Sequence, residues 1–113
     1  MKAIIAYIQP FMLEKVTDVL RGRKVHGVTV IQCEGFGRIV DGKTPHYEDE
    51  AVELGYAPKI KLEIVCQDEE THGIVQTIRE SARTGRHGDG KIFVTEVIDV
   101  VDIRTGTEGD AIL

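Results

Sequence analysis

Apolar residues in this chain recur with two alternating periods, one suited to strands and one to helices. Ala3 to Ile8 is an isoleucine-rich run closed by Pro10, too short for a helix of its own, and it reads as a buried first strand. Pro10 then opens a helix. Met12, Leu13, Val16, Val19 and Leu20 fall at helical spacing, with Glu14, Lys15, Asp18 and Arg21 on the other face, to about Lys24. Past Gly27, residues Val28, Val30 and Ile31 carry a second strand toward Gly35. From Lys59 to Cys66, Lys59, Lys61 and Glu63 alternate with Ile60, Leu62 and Ile64, the period-two pattern of a strand with one wet and one buried face. A second helix is expected from about Glu69, with Ile74, Val75, Ile78 and Ala82 as its apolar stripe and Thr84-Gly85 as its stop. Lys91 to Val101 reads as the last long strand, and the chain after Arg104 is polar and glycine-bearing.

The order is therefore β-α-β, a long connection, and β-α-β again, an α+β chain of the ferredoxin-like type with an antiparallel sheet. At 113 residues it is sized for a single domain, 1–113, with a modest core. Such a sheet covers one face with helices and leaves the other in need of a partner, so self-association is a physical expectation.

Charge narrows the partners. A net charge of −5 argues against general nucleic-acid binding, which needs a basic field to meet the phosphate backbone. No apolar run approaches the roughly 20 residues that span a bilayer, and the N-terminus lacks the basic-then-apolar design of a signal peptide. A cytoplasmic protein without direct membrane insertion is expected. Cys33 and Cys66 stand far apart on strand-like segments without zinc-site spacing, and read as reduced, small core hydrophobes.

The segment with the most chemistry is Thr84-Gly85-Arg86-His87-Gly88-Asp89-Gly90-Lys91, a glycine-rich stretch running into a basic residue and a β-branched strand. Glycines let successive N–H groups approach a phosphate with no Cβ in the way, and Lys91 supplies the countercharge. Gly-Asp-Gly also punctuates ordinary tight turns, so the segment alone leaves both readings open. A second basic cluster, Ile103-Arg104-Thr105-Gly106, follows the strand that Lys91 opens.

Taken with Lys2-Ala3-Ile4-Ile5-Ala6-Tyr7-Ile8-Gln9-Pro10-Phe11, Gly35-Phe36-Gly37-Arg38 and Pro58 to Val65, these segments resemble the P-II signal-transduction family, trimeric regulators that read adenine nucleotides. The resemblance covers nearly the whole chain. It implies a homotrimer with ATP, ADP or AMP held between adjacent subunits. The matching positions are Thr29, Gly37, Arg38, Val65, Gly88, Asp89, Gly90, Lys91 and Arg104. In that reading Thr29 offers a hydroxyl to an adenine edge and Val65 an apolar wall, residues 84–91 cradle the phosphates, and Lys91, Arg38 and Arg104 balance their charge.

The departures from the family pattern carry their own expectations. Asp102 stands where an arginine is usual, and a carboxylate within several Å of a polyphosphate would cost on the order of 1 kcal/mol at intermediate dielectric. ADP or AMP is therefore expected over ATP, unless Asp102 points to solvent or pairs with Arg104. Ile39 replaces the usual glutamine and has no side-chain oxygen for a metal, and Gln9 replaces a lysine. Both weigh against 2-oxoglutarate with magnesium as a co-effector, although Lys59 is retained.

Residues 38–58 correspond to the family's target-binding T-loop, which implies a membrane transporter or a metabolic enzyme as the partner. Between Ile39 and Pro58 five carboxylates (Asp41, Glu48, Asp49, Glu50 and Glu53) face a single lysine, Lys43, so a basic target surface is expected. Tyr47 and Tyr56 lie outside the usual uridylylation context, so no such modification is expected. His46 beside those acids reads as solvated loop rather than a metal site, and the tail 102–113 is acidic at Glu108 and Asp110. No enzyme is expected, since no positioned nucleophile or metal accompanies His87, Asp89 and Lys91. The alternative is a ferredoxin-like trimer that senses a metal ion or another small effector without nucleotide.

Overall fold

The computed structural model describes residues 1–37 and 56–113. Four strands, β1 (Lys2–Ile8), β2 (Thr29–Gly35), β3 (Ala57–Cys66) and β4 (Gly90–Glu96), form one sheet in the order β2-β3-β1-β4. Each neighbouring pair is antiparallel, with Ile4 opposite both Ile64 and Val94. Helix α1 (Leu13–Gly22) links β1 to β2, and α2 (Asp68–Ala82) links β3 to β4. Each β-α-β unit is split by a strand of the other, because β3 lies between β1 and β2 while β1 lies between β3 and β4. That is the ferredoxin-like arrangement.

Local chemistry sets the element ends. Pro10 occupies the first position of a short 3-10 turn, Pro10–Met12, that leads into α1. Three carboxylates, Asp68, Glu69 and Glu70, fill the first turn of α2 and complement its dipole. Strand parity then decides which side chains are buried. Ile4, Ala6 and Ile8 of β1 and Ile60, Leu62, Ile64 and Cys66 of β3 pack against Met12, Val16 and Leu20 of the first helical segment and Ile74, Ile78 and Ala82 of α2. Each large side chain buried there contributes roughly 1.5–3 kcal/mol.

The opposite face is open and mixed, with apolar side chains around a Lys61–Glu63 ion pair at 2.8 Å. Tyr7 and Phe93 meet edge to face with ring centroids 6.2 Å apart, and Ile31, Val65 and Phe93 are exposed. Val65 is 38% exposed, because it shares parity with Lys59, Lys61 and Glu63 rather than with the core residues. Cys33 also belongs to this face, half-buried with its thiol toward the Lys59 carbonyl, whereas Cys66 is in the core; both are free thiols.

Two boundaries differ from the sequence reading. The long connection ends two residues early, since Ala57 and Pro58 already pair with Gly35 and Glu34. The last strand stops at Glu96 instead of Val101: its pairing with β1 ends where Lys2 meets Glu96, and one further bond joins the Val97 amide to the Met1 carbonyl. Residues 100–109 then fold on themselves into a small arm, with Asp102 and Thr107 joined at 2.9 Å, Gly109 and Val100 at 3.1 Å, and Val101 bridged to Glu108. No helix of the described residues is long and apolar enough to cross a membrane.

Candidate functional site

The glycine-rich loop that precedes β4 is held by contacts the protein makes with itself. Asp89 turns its carboxylate back into the loop, where it accepts the amides of Thr84 and Gly85, both at 2.8 Å, and the Thr84 hydroxyl. Partial burial by itself would push the Asp89 carboxyl up. The bonds from Thr84 and Gly85, helped by the nearby Arg83 charge, more than offset that and hold it below the ordinary carboxylate value. Asp89 is thus an organiser of the loop through its side chain.

Two contacts fasten the loop to the end of β1. Gly90 adopts φ +118° over the Tyr7 carbonyl, an approach that only glycine permits. Gln9, 4% exposed, donates its side-chain amide to the Gly88 carbonyl. Sequence reasoning marked Gln9 only as a departure from the usual lysine within the Lys2 to Phe11 segment and gave it no part in the loop. Lys91, exposed and paired with Tyr7 across the sheet, lines a cleft of about 380 Å³ between α2 and β4 together with Arg79, Arg83, Asp89 and Gly90. Arg79, Arg83 and Lys91 border it, and the acid among its lining residues, Asp89, is already committed to Thr84 and Gly85.

The expected site residues are spread along the sheet, with the loop residues at one end, Thr29 near the middle and Val65 toward the other end. Gly88, Asp89, Gly90 and Lys91 lie at the end where Ile8 pairs with Ile60, and Gly37 leaves β2 beyond the same end, after Gly35 pairs with Ala57. Thr29 opens β2 opposite Glu63, level with Ile5 at the middle of β1, and Val65 pairs with Ala3 toward the other end. Lys61 is level with Lys91 through Tyr7, so Val65 is four residues further on, about 13 Å along the strand. The arm that carries Arg104 belongs to Val65's end, since the Gln67 side chain donates to the Asp110 carbonyl at 3.4 Å and Leu113 lines a second cleft with Val65 and Cys66. One copy of the chain does not bring the set together.

Arg38 lies outside the described residues, as do Ile39, the acidic segment through Glu53, His46 and Tyr47. At its described edges Phe36 and Tyr56 stand edge to face, centroids 6.2 Å apart. Asp102 directs its carboxylate at its own turn, accepting the amides of Arg104 at 2.9 Å and Thr105 at 3.1 Å, so the acid and the arginine are two residues apart on one tight bend. His26, His72 and His87 are all exposed, and the described residues contain no cluster of three or more His, Cys, Asp or Glu arranged to hold a metal ion.

Comparison with known proteins places the chain. The family model described as Nitrogen regulatory protein P-II matches residues 1–107. Among curated proteins the chain is 44% identical to nitrogen regulatory protein P-II of Rhizobium meliloti over 113 residues, covering 99% of this chain and 100% of that one. It is 44% identical to nitrogen regulatory protein P-II 1 of Escherichia coli over 111 residues, 98% of each. Against nitrogen regulatory protein P-II 2 of Methanothermobacter thermautotrophicus it is 45% identical over 109 residues, 96% of this chain and 94% of the relative.

Proposed function

This chain belongs to the nitrogen regulatory protein P-II family, and we propose on that footing that it is a cytoplasmic, non-enzymatic sensor of adenine nucleotides. Residues 1–113 act as one domain, three copies form the working unit, and the nucleotide lies between two of them. The observation that carries this reading is the spread of the candidate residues along one sheet. A preformed anion cradle with Lys91 stands at one end, Thr29 lies near the middle, and Val65 and Arg104 belong to the other end. A second copy brings the missing half to each cradle. The exposed Ile31, Val65 and Phe93 on the open face support the association, as do Ile98 and Ile103, 98% and 102% exposed beside and on the arm.

In the assembled site Gly88 to Gly90 offer backbone donors to phosphate, with Gly37 and Arg38 beside them, while Lys91 and the neighbour's Arg104 balance charge. Thr29 and Val65 take the adenine. Asp102 lies close enough to Arg104 to offset part of its attraction, which favours ADP or AMP over ATP. Residues 38–58 relay the nucleotide state to a target, a membrane transporter or a metabolic enzyme with a basic contact surface.

Calorimetric titration with ATP, ADP and AMP, the ATP series with and without magnesium and 2-oxoglutarate, tests this directly. Micromolar binding led by ADP or AMP and unmoved by 2-oxoglutarate is the expected result. Failure of all three nucleotides to bind would overturn the reading in favour of a metal or other small effector.

A further inference from the structure

Of the buried polar side chains among the described residues, Thr77 and Ser81 bond to carbonyls of their own helix, Gly73 at 2.8 Å and Thr77 at 2.6 Å. Gln9 alone reaches across the fold, joining the end of β1 to the Gly88 carbonyl, 79 positions away. A buried amide left unpaired is costly, so this bond ties the loop's position to that of β1. Its effect on the loop follows from peptide geometry. The Gly88 carbonyl and the Asp89 N–H belong to one planar trans peptide and point in opposite directions. Holding the carbonyl inward on Gln9 therefore aims the Asp89 N–H away from the domain, on the side where a phosphate would approach the cradle.

We propose that Gln9 is a positioning residue for the anion cradle: it contacts no ligand, but it fixes the peptide whose N–H receives the phosphate. The proposal rests on the nucleotide reading above. It also accounts for a neutral side chain at this position, since the task is to donate one hydrogen bond to a carbonyl and needs no charge.

Two variants separate positioning from packing. Gln9→Met keeps the volume and removes the donor. Gln9→Glu keeps the shape, but its carboxylate repels the Gly88 carbonyl when ionised and donates to it again when protonated. Both are expected to weaken ADP binding roughly tenfold at pH 8 by calorimetry, the scale of one lost hydrogen bond to a buried group. Gln9→Glu alone is expected to recover toward the wild type at pH 5.5, each pH being compared with the wild type because His87 belongs to the same loop. In the ligand-free protein the Asp89 amide resonance should shift and exchange faster in both variants. Wild-type ADP affinity in variants that only lose thermal stability would overturn the proposal, as would an unmoved Asp89 amide. A wild-type protein that binds no nucleotide would defeat the functional reading, while the amide measurement would still test the Gln9 link.

Discussion

Gly90 sits so tightly over the Tyr7 carbonyl that a β-carbon added to it would lie 1.7 Å from that oxygen. The neighbouring atoms are backbone of β1, which cannot yield without breaking a central strand, and φ +118° penalises any side chain as well. Gly90→Ala is expected to cost about 3 kcal/mol or more, read from urea unfolding, and to abolish nucleotide binding. Gly85 gives the contrast: it has φ +91° but open space where a β-carbon would go. Gly85→Ala should therefore cost only about 1–2 kcal/mol, the conformational part alone. Equal losses at the two positions would mean that the close approach to Tyr7 is not what holds the loop.

Asp89 makes the loop sensitive to acid. Its folded-state value is depressed, so its contribution to stability is fully present above the ordinary carboxylate value of 3.8 and is lost as pH falls through the lower folded value. Asp89→Asn removes the charge and one acceptor. It should destabilise the protein by about 1–2 kcal/mol at pH 7, a difference that shrinks as pH is lowered below 4. Urea midpoints of both proteins from pH 7 to pH 3 check this. Parallel curves would show that the carboxylate charge plays no part in holding Thr84 and Gly85.

Much of this was legible along the chain because apolar periodicity reports burial directly. The β1, α1, β3 and α2 segments each fill one side of a single core, and their patterns say so. The run from Lys91 to Val101 misled for the same reason: Val94, Val97, Val100 and Val101 look like strand, yet a ladder needs a partner, and the pairing with β1 ends where Lys2 meets Glu96. The parity that exposes Val65 was already present in Lys59, Lys61 and Glu63. In the glycine-rich loop, the glycines and cations were plain in the sequence, but the jobs of Gln9 and Asp89 depend on contacts that no spacing encodes. Thr84 and Asp89 bond because the loop closes between them, and Gln9 meets Gly88 because β1 and β4 are neighbours.

Asp102 separates two roles that a single substitution would confuse. Its carboxylate accepts the Arg104 and Thr105 amides and so shapes the bend, while in the proposed nucleotide site its charge would oppose phosphate. Asp102→Asn keeps an acceptor for the bend and removes the charge. ATP affinity is expected to rise about fivefold relative to AMP, consistent with removing an unfavourable interaction of about 1 kcal/mol that grows with the number of phosphates. Asp102→Ala removes both functions and should lose affinity for every nucleotide through a loosened Arg104. Titrations of both variants decide it, and an unchanged ATP-to-AMP ratio in Asp102→Asn would remove charge as the source of preference.

Phe93 tests whether the open face of the sheet is where copies meet. It is 50% exposed and rests edge to face on Tyr7 from the edge strand β4, so a carboxylate there has little internal packing to disturb. In an assembly it would be buried without a counter-charge, at a cost of several kcal/mol for each copy. Phe93→Asp is expected to convert a trimer into a monomer in sedimentation velocity. Nucleotide affinity should fall at least a hundredfold with it, because each cradle then lacks its neighbour's Thr29, Val65 and Arg104. The wild-type thermal midpoint should rise with protein concentration and that of the variant should not, since only association couples stability to concentration. A variant that stays trimeric with native affinity would move the contact surface elsewhere, and the exposed pair Ile98 and Ile103 would be the next place to put a charge.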